Sequence, residues 1–161
     1  DDIGGFTALH DAIIDDCTLA KLVKKAGGLT WIGLSHDVEA IRPYGTLSNI
    51  WNMVARTAFT QLKYSLPLLL LCSALLVITF LAPLAGILSG NSNVRLLSAI
   101  SLIAMCIAYL PTIKHYRCSS FWVFSLPFAS SLFLAMTWTS AIRYWRGERT
   151  RWKNRIYRKM S

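Results

Sequence analysis

Acidic residues are almost absent from this chain after residue 64. Residues 65–161 contain Glu148 as their one acid against eleven Lys and Arg, whereas residues 1–64 contain seven acids against six Lys and Arg. The formal net charge of +9 therefore comes from the second part of the chain. Such asymmetry between two halves of a sequence excludes an evenly charged soluble domain and indicates a membrane or nucleic-acid partner.

Paired cysteine spacings are also missing. The chain has four cysteines, of which Cys72 and Cys106 lie in the middle of apolar segments. This pattern excludes a disulfide framework and a Cys-based zinc site. The sequence also lacks an Asp-x-Asp pair, a Gly-rich phosphate loop and a signal peptide. It therefore offers no recognisable site for a metal-bound nucleotide diphosphate.

Charged residues are absent from three long apolar segments, residues 65–88, 96–113 and 118–142. Each has at least about 18 residues, which is the length a helix needs to cross a hydrocarbon core of ~30 Å. One such segment is compatible with a buried soluble helix, but three in succession indicate a membrane region over residues 65–142. The basic tail that follows, residues 143–161, is predicted to bind anionic lipids rather than nucleic acid.

The basic residues around the apolar segments give conflicting predictions of topology. The positive-inside rule assigns both the tail after Ile142 and the loop containing Lys114 and Arg117 to the cytoplasm. Three complete crossings cannot put both on one side. We expect one segment to be an incomplete crossing, and residues 118–142, with Pro127 inside, are the best candidate.

Residues 1–46 read as a small α/β region. Leu19, Leu22 and Val23 recur at helical spacing after Asp15-Asp16, and Gly27-Gly28 predicts the end of that helix. Residues 30–34 are predicted to form a short strand, and Arg42-Pro43 a turn. Residues 47–64 then predict an amphipathic helix at the membrane surface, with Arg56 on its polar side.

The carboxylates of Asp15 and Asp16 have two possible roles. Acidic side chains in the first turn of a helix stabilise its N-terminus and its dipole without any catalytic role. One of two adjacent carboxylates can also act as a general base, because a neighbouring negative charge favours its protonation. The residues alone leave both roles open.

The arrangement of these segments resembles the acceptor-side part of family 2 glycosyltransferases. The likeness rests on Ile3-Gly4-Gly5-Phe6, on the Asp15-Asp16-x-x-Leu19-Ala20 segment, and on the interfacial and membrane helices that follow. Residues 14–20, 41–44 and 53–65 are most similar to the bacterial hopene-associated group. Membrane-embedded members such as cellulose synthase and ceramide glucosyltransferase share the order of elements. This resemblance implies the C-terminal end of a GT-A type α/β domain joined to two or three transmembrane helices.

The resemblance also implies roles for individual residues. Asp16 would be the catalytic base, Asp15 its acidic neighbour, and Arg56 a residue that contacts the donor diphosphate and the acceptor site. Arg56 is all that survives of the Gln-x-x-Arg-Trp motif, because Met53 and Thr57 stand at the Gln and Trp positions. A divalent metal, Mg²⁺ or Mn²⁺, would bind in a donor half preceding Asp1, so no metal ligand is expected in this segment.

The predicted protein is thus the C-terminal portion of an inverting enzyme of the bacterial inner membrane. It would transfer a sugar from a nucleotide-sugar to a lipid hydroxyl, with a hopanoid as the suggested acceptor. Without the donor half, this segment alone is expected to be inactive. The alternative is a non-catalytic membrane anchor or interaction subunit, in which Asp15-Asp16 only stabilises a helix and the tail binds lipid.

Overall fold

The computed structural model describes residues 5, 14–38, 45–152 and 155–158, with Asp15 and residues 149–152 and 155–158 described by their backbone alone. The predicted Arg42-Pro43 turn and most of the Ile3–Phe6 segment lie outside these residues. The chain divides into two compact units, Asp1–Pro43 and Tyr44–Ser161, and each is described by itself.

The described elements are mostly helical and follow one another with short connections. They are α1 (Asp15–Lys25), α2 (Leu47–Gln61), α3 (Leu66–Leu76), a π-helical turn (Val77–Leu81), α4 (Ala82–Ile87), α5 (Ser92–His115), a 3₁₀ helix (Ser120–Ser125), α6 (Leu126–Trp145), β1 (Glu148–Trp152) and β2 (Arg155–Arg158).

Helix α1 is the regular element of the first unit, and glycine ends it as the sequence predicts. The N–H of Gly28 donates to the carbonyl of Val23, and the N–H of Gly27 donates to that of Lys24. Gly27 adopts a φ of +83°, the left-handed conformation that this type of helix end requires. Lys24 and Lys25 lie in the last turn, where cations complement the helix dipole.

The predicted α/β fold class is wrong for the described part of the chain. Residues 28–35 contain no strand, and the side chains of Trp31 and Ile32 are 86% and 97% exposed. The two strands that the structure does contain, β1 and β2, pair with each other near the C-terminus. A strand is held by its neighbours, and no described residue offers one to the 30–34 segment. Apolar, β-branched composition alone therefore did not produce a strand there.

The core of the second unit lies where α2, α3 and α6 meet. Phe59, Leu69 and Ala141 are its most buried members, one from each helix. The backbone N–H of Phe59 donates to Ser140 Oγ at 3.1 Å, and Trp138 Nε1 donates to Ser73 Oγ at 3.0 Å. These two bonds join α6 to α2 and to α3, so polar groups inside the unit are satisfied across helices.

Three helical segments are long and apolar enough to cross a membrane: Leu66–Ile87, Ser92–His115 and Ser120–Trp145. The first comprises α3, the π-helical turn and α4, and Pro83 lies in the first turn of α4. Because proline has no N–H to donate, a π-type widening just before it is an expected accommodation. The third comprises the 3₁₀ helix and α6, with Pro127 at the start of α6.

A close approach between α4 and α5 depends on Gly86. A Cβ atom built at Gly86 would lie 2.0 Å from Ser98 Oγ and 3.2 Å from Ser98 Cβ. Ser98 is itself buried in this contact. The absence of a side chain at residue 86 therefore sets the separation of the two helices, as small residues do in membrane helix pairs.

The start of the basic tail forms a two-stranded antiparallel hairpin. β1 pairs with β2, with Arg151 opposite Ile156 and Trp152 opposite Arg155. The sequence analysis assigned this region only as a basic tail. Local alternation gave no indication of a hairpin here, since charged residues occupy five of the nine positions in the two strands.

Candidate functional site

Asp16 lies in the first turn of α1 and is exposed to solvent. One of its carboxylate oxygens, Oδ1, accepts the backbone N–H of Cys17 at 2.7 Å. The first four N–H groups of a helix have no partner within the helix, so this bond stabilises the start of α1. The carboxylate thus has a structural role and is also accessible to an incoming hydroxyl group.

The residue that precedes the helix does not cap it with a side chain. Ile14 occupies the N-cap position and makes no side-chain hydrogen bond, while Thr18 Oγ1 donates back to the Ile14 carbonyl at 2.8 Å. The N-terminus of α1 therefore relies on the acidic residues of its first turn for favourable electrostatics. The structure is compatible with the helix-stabilising role of the pair and with the catalytic one.

Arg56 lies on α2 in the second unit, on a part of the helix that packs beside α6. Ala55, Ala58 and Phe59 are buried around it. Arg56 is half-buried and its Nε atom is inaccessible to solvent. An arginine held in this way loses less conformational entropy when it binds an anion than a fully exposed one would. The side chain is therefore suited to hold a phosphate group.

A hydrogen bond between two helices lies one turn away from Arg56. The Nη2 atom of Arg143, near the end of α6, donates to Asn52 Oδ1 at 3.0 Å. Residues four apart on a helix are neighbours on its surface, so Asn52 and Arg56 adjoin each other. Two arginines from different helices are thereby brought to one region of the α2–α6 seam.

An aromatic cluster supports the end of that seam. The rings of Phe59 and Tyr144 meet edge to face with centroids 5.5 Å apart, and Phe59 meets Tyr64 and Trp145 in the same manner at 5.8 and 5.7 Å. Tyr64 also follows Lys63, and both have left-handed backbone conformations, with φ of 56° and 52°. Such conformations are unfavourable for side-chain-bearing residues, so the packing of Tyr64 stabilises the corner between α2 and α3.

Metal ligands are not gathered in the described part of the chain. No group of three His, Cys, Asp or Glu side chains among the described residues could hold a metal ion. All four cysteines are free, with Cys17 and Cys118 exposed. The described residues therefore do not fit the divalent metal that the family resemblance implies, and none of them is assigned to it.

The predicted site residues fall in separate units. Asp15 and Asp16 belong to the first unit and Arg56 to the second, and each is described within its own unit. The sequence did not predict the hydrogen bond between Asn52 and Arg143, which lie near Arg56 along α2 and at the end of α6. They are 91 residues apart, and no local pattern connects them. The sequence did offer one local signal. The four-residue spacing of Asn52 and Arg56 on a predicted helix indicates that these two residues adjoin.

Comparison with known proteins gives one match that covers nearly the whole chain. The model of glycosyl transferase family 21 matches residues 1–160. Searches of curated proteins and of solved structures gave no match. The family match supports a glycosyltransferase, as the sequence resemblance implied, but it does not identify family 2 or the hopene-associated group.

Proposed function

Since the chain belongs to glycosyl transferase family 21, and since its second unit carries three candidate membrane spans, we propose that it serves a membrane enzyme that glycosylates a lipid hydroxyl. The donor in this proposal is a nucleotide-sugar. The observation that supports this proposal is the exposed carboxylate of Asp16. It lies in a glycosyltransferase whose later helices are long and apolar enough to cross a membrane. A lipid acceptor reaches a protein of this kind from the bilayer itself.

Asp16 is the general base in the proposed reaction. Its carboxylate takes the proton of the acceptor hydroxyl while that oxygen bonds to the anomeric carbon of the sugar. The bond between the anomeric carbon and the diphosphate oxygen breaks, and the electron pair leaves with the diphosphate. Attack opposite the leaving group inverts the configuration at the anomeric carbon. Asp15 adds negative charge next to the base.

Arg56 stabilises the leaving group in this scheme. A departing diphosphate gains negative charge on its bridging oxygen, and a preorganised guanidinium stabilises such charge with paired hydrogen bonds. The half-burial of Arg56 supports this role, because partial exclusion of water strengthens the interaction. A divalent metal for the diphosphate is also part of the proposal, and none of the described residues is proposed to hold it.

The acceptor and the membrane are narrower parts of the proposal. A hopanoid or a related polycyclic lipid alcohol is the acceptor suggested by the likeness of residues 14–20, 41–44 and 53–65 to the hopene-associated group. The enzyme would reside in a bacterial inner membrane with Asp16 on the cytoplasmic side. The cations that follow α6 support an interaction of the tail with anionic lipid headgroups.

The test of the catalytic proposal is Asp16→Asn in the full-length enzyme, with Asp37→Asn as the matched control. Asp37 is an exposed aspartate of the same unit, and in the described structure its backbone N–H bonds to Ser35 Oγ. Removal of a general base lowers the rate of sugar transfer by about 10²–10⁴. Asp37→Asn should leave transfer unchanged. Near-normal transfer by Asp16→Asn would rule out Asp16 as the base.

A further inference from the structure

Arg143 presents a second guanidinium at the part of α2 that carries Arg56. The bond from Arg143 Nη2 to Asn52 Oδ1 fixes one edge of that guanidinium at 3.0 Å from a neutral amide. Arg143 is half-buried and Asn52 is exposed. Because Asn52 and Arg56 are adjacent on the α2 surface at Cβ separations of about 5–6 Å, both arginines belong to one small region.

The second unit has few acidic residues that could pair with these arginines. Between residues 44 and 161 the sequence has Glu148 as its one acid, together with thirteen Lys and Arg. The described hydrogen bond of Arg143 goes to an amide oxygen and not to a carboxylate. Two neighbouring guanidinium groups both attract an anion that reaches them. A guanidinium retains donors for such an anion after one N–H is used, since arginine has five.

From this geometry we infer that Asn52, Arg56 and Arg143 form a binding site for a phosphate-type anion. Arg143 is a ligand of the anion, and Asn52 is a positioning residue that orients the guanidinium of Arg143. Phosphoryl oxygens occur both in the diphosphate of a sugar donor and in the headgroup of an anionic lipid. The first source rests on the function proposed above, whereas the second does not.

The primary experiment titrates inorganic pyrophosphate into the full-length enzyme held in phosphatidylcholine nanodiscs. Arg143→Gln should weaken pyrophosphate binding on the order of tenfold, since one charge-assisted hydrogen bond is lost. Arg146→Gln is the matched control, because Arg146 is an exposed arginine of the same segment. Unchanged pyrophosphate affinity in both variants, together with an unchanged preference for phosphatidylglycerol in the lipid comparison below, would overturn the inference.

Asn52→Asp separates anion binding from structural support. A carboxylate at residue 52 keeps the contact with Arg143, and converts it into an ion pair, but it repels an incoming anion. Pyrophosphate affinity should fall on the order of tenfold while the melting temperature stays the same or rises. If no anion binds beside residue 52, the substitution preserves the contact between α6 and α2 and pyrophosphate affinity will not fall.

A lipid arm distinguishes the two sources of phosphate. Pyrophosphate affinity that is lost in Arg143→Gln supports the diphosphate as the ligand. Unchanged pyrophosphate affinity, with a loss of the preference for phosphatidylglycerol over phosphatidylcholine nanodiscs, supports a lipid headgroup. Asp16→Asn should bind pyrophosphate normally in either case. Transfer activity retained by that variant would overturn the catalytic proposal without affecting this site.

Discussion

The ring of Tyr64 stacks on the ring of Tyr144, with centroids 4.4 Å apart and planes 17° from parallel. Tyr64 lies two residues before the first membrane-type helix, and Tyr144 lies at the end of the last one. Farther along, Trp138 on α6 bonds to Ser73 on α3, so the two helices run in opposite directions. The beginning of the apolar region and its end thus lie side by side.

This pairing predicts that α2 and the end of α6 face the same side of the membrane. Two residues in contact cannot lie on opposite faces, so the chain between them crosses an even number of times. Gln61→Cys and Arg146→Cys, each introduced after the four native cysteines are changed to Ser, should react with an impermeant maleimide from the same side. Gly90→Cys, in the connection after α4, should react from the other side. Labelling of residues 61 and 146 from opposite sides would contradict the prediction.

An even number of crossings also bears on the side of the membrane that the basic tail occupies. The tail after α6 then shares a side with α2, as the positive-inside rule requires if α2 is cytoplasmic. This prediction implies that one of the three apolar segments does not complete a crossing. The basic residues of the sequence made the conflict visible, but no local pattern in the sequence predicts the contact between Tyr64 and Tyr144.

The stacked tyrosines should be energetically coupled. Tyr64→Leu and Tyr144→Leu each remove an aromatic contact, and the double variant should lose less stability than the sum of the two. Aromatic pairs contribute about 0.5–1.5 kcal/mol beyond burial, so the coupling in a double-mutant cycle should fall in that range. The measurement is thermal or denaturant unfolding in detergent. Phe128→Leu is a suitable control, because Phe128 is exposed on α6.

Ser140 should contribute through its hydroxyl rather than through its size. Its Oγ accepts the N–H of Phe59 inside the α2–α6 interface, where Ser140 is buried. Ser140→Ala should lower the free energy of unfolding by about 1 kcal/mol, as expected for one buried hydrogen bond. Ser140→Leu should cost more, because the interface has no space for added methylenes. Ser125→Ala, whose hydroxyl bonds within its own exposed turn, should have little effect.

We expect a side chain at residue 86 to destabilise the contact between α4 and α5 as long as residue 98 is a serine. Gly86→Ala puts a methyl group against Ser98 Oγ, and overpacking of this kind costs about 1–3 kcal/mol. The gain in helix propensity from Gly to Ala, roughly 1 kcal/mol, offsets only part of that cost. Ser98→Ala in the same chain should restore part of the lost melting temperature. Gly90→Ala, which meets no atom within 4 Å, should cause no loss from overpacking.

Arg56 should require the shape of its side chain as well as its charge. Arg56→Gln removes the cation and should raise the KM for the sugar donor on the order of tenfold or more. Arg56→Lys keeps the charge but loses the planar fork, so it should recover only part of that loss. Lys63→Gln, an exposed cation just beyond α2, serves as the control. If all three variants have the same donor KM as the unchanged protein, Arg56 does not belong to the diphosphate site.

By itself, the sequence determined the elements that depend on local patterns. Uncharged length predicted the three apolar helices, because a backbone in hydrocarbon must satisfy its hydrogen bonds internally. Helical spacing and Gly27 likewise predicted the bounds of α1. The segment at residues 30–34 was predicted wrongly as a strand, because strand composition is local whereas strand formation needs a pairing partner.

Tertiary structure alone decided which distant residues meet. Arg143 reaches Asn52 from 91 positions away, and Tyr144 meets Tyr64 across the entire apolar region. Such contacts depend on how the helices cross, and each helix taken alone is compatible with several crossings. The sequence thus supplied the acidic helix start, the interfacial arginine and the apolar helices. The packing of α6 on α2 and α3 gave that arginine its neighbours, because side chains from separate helices converge only where the helices pack.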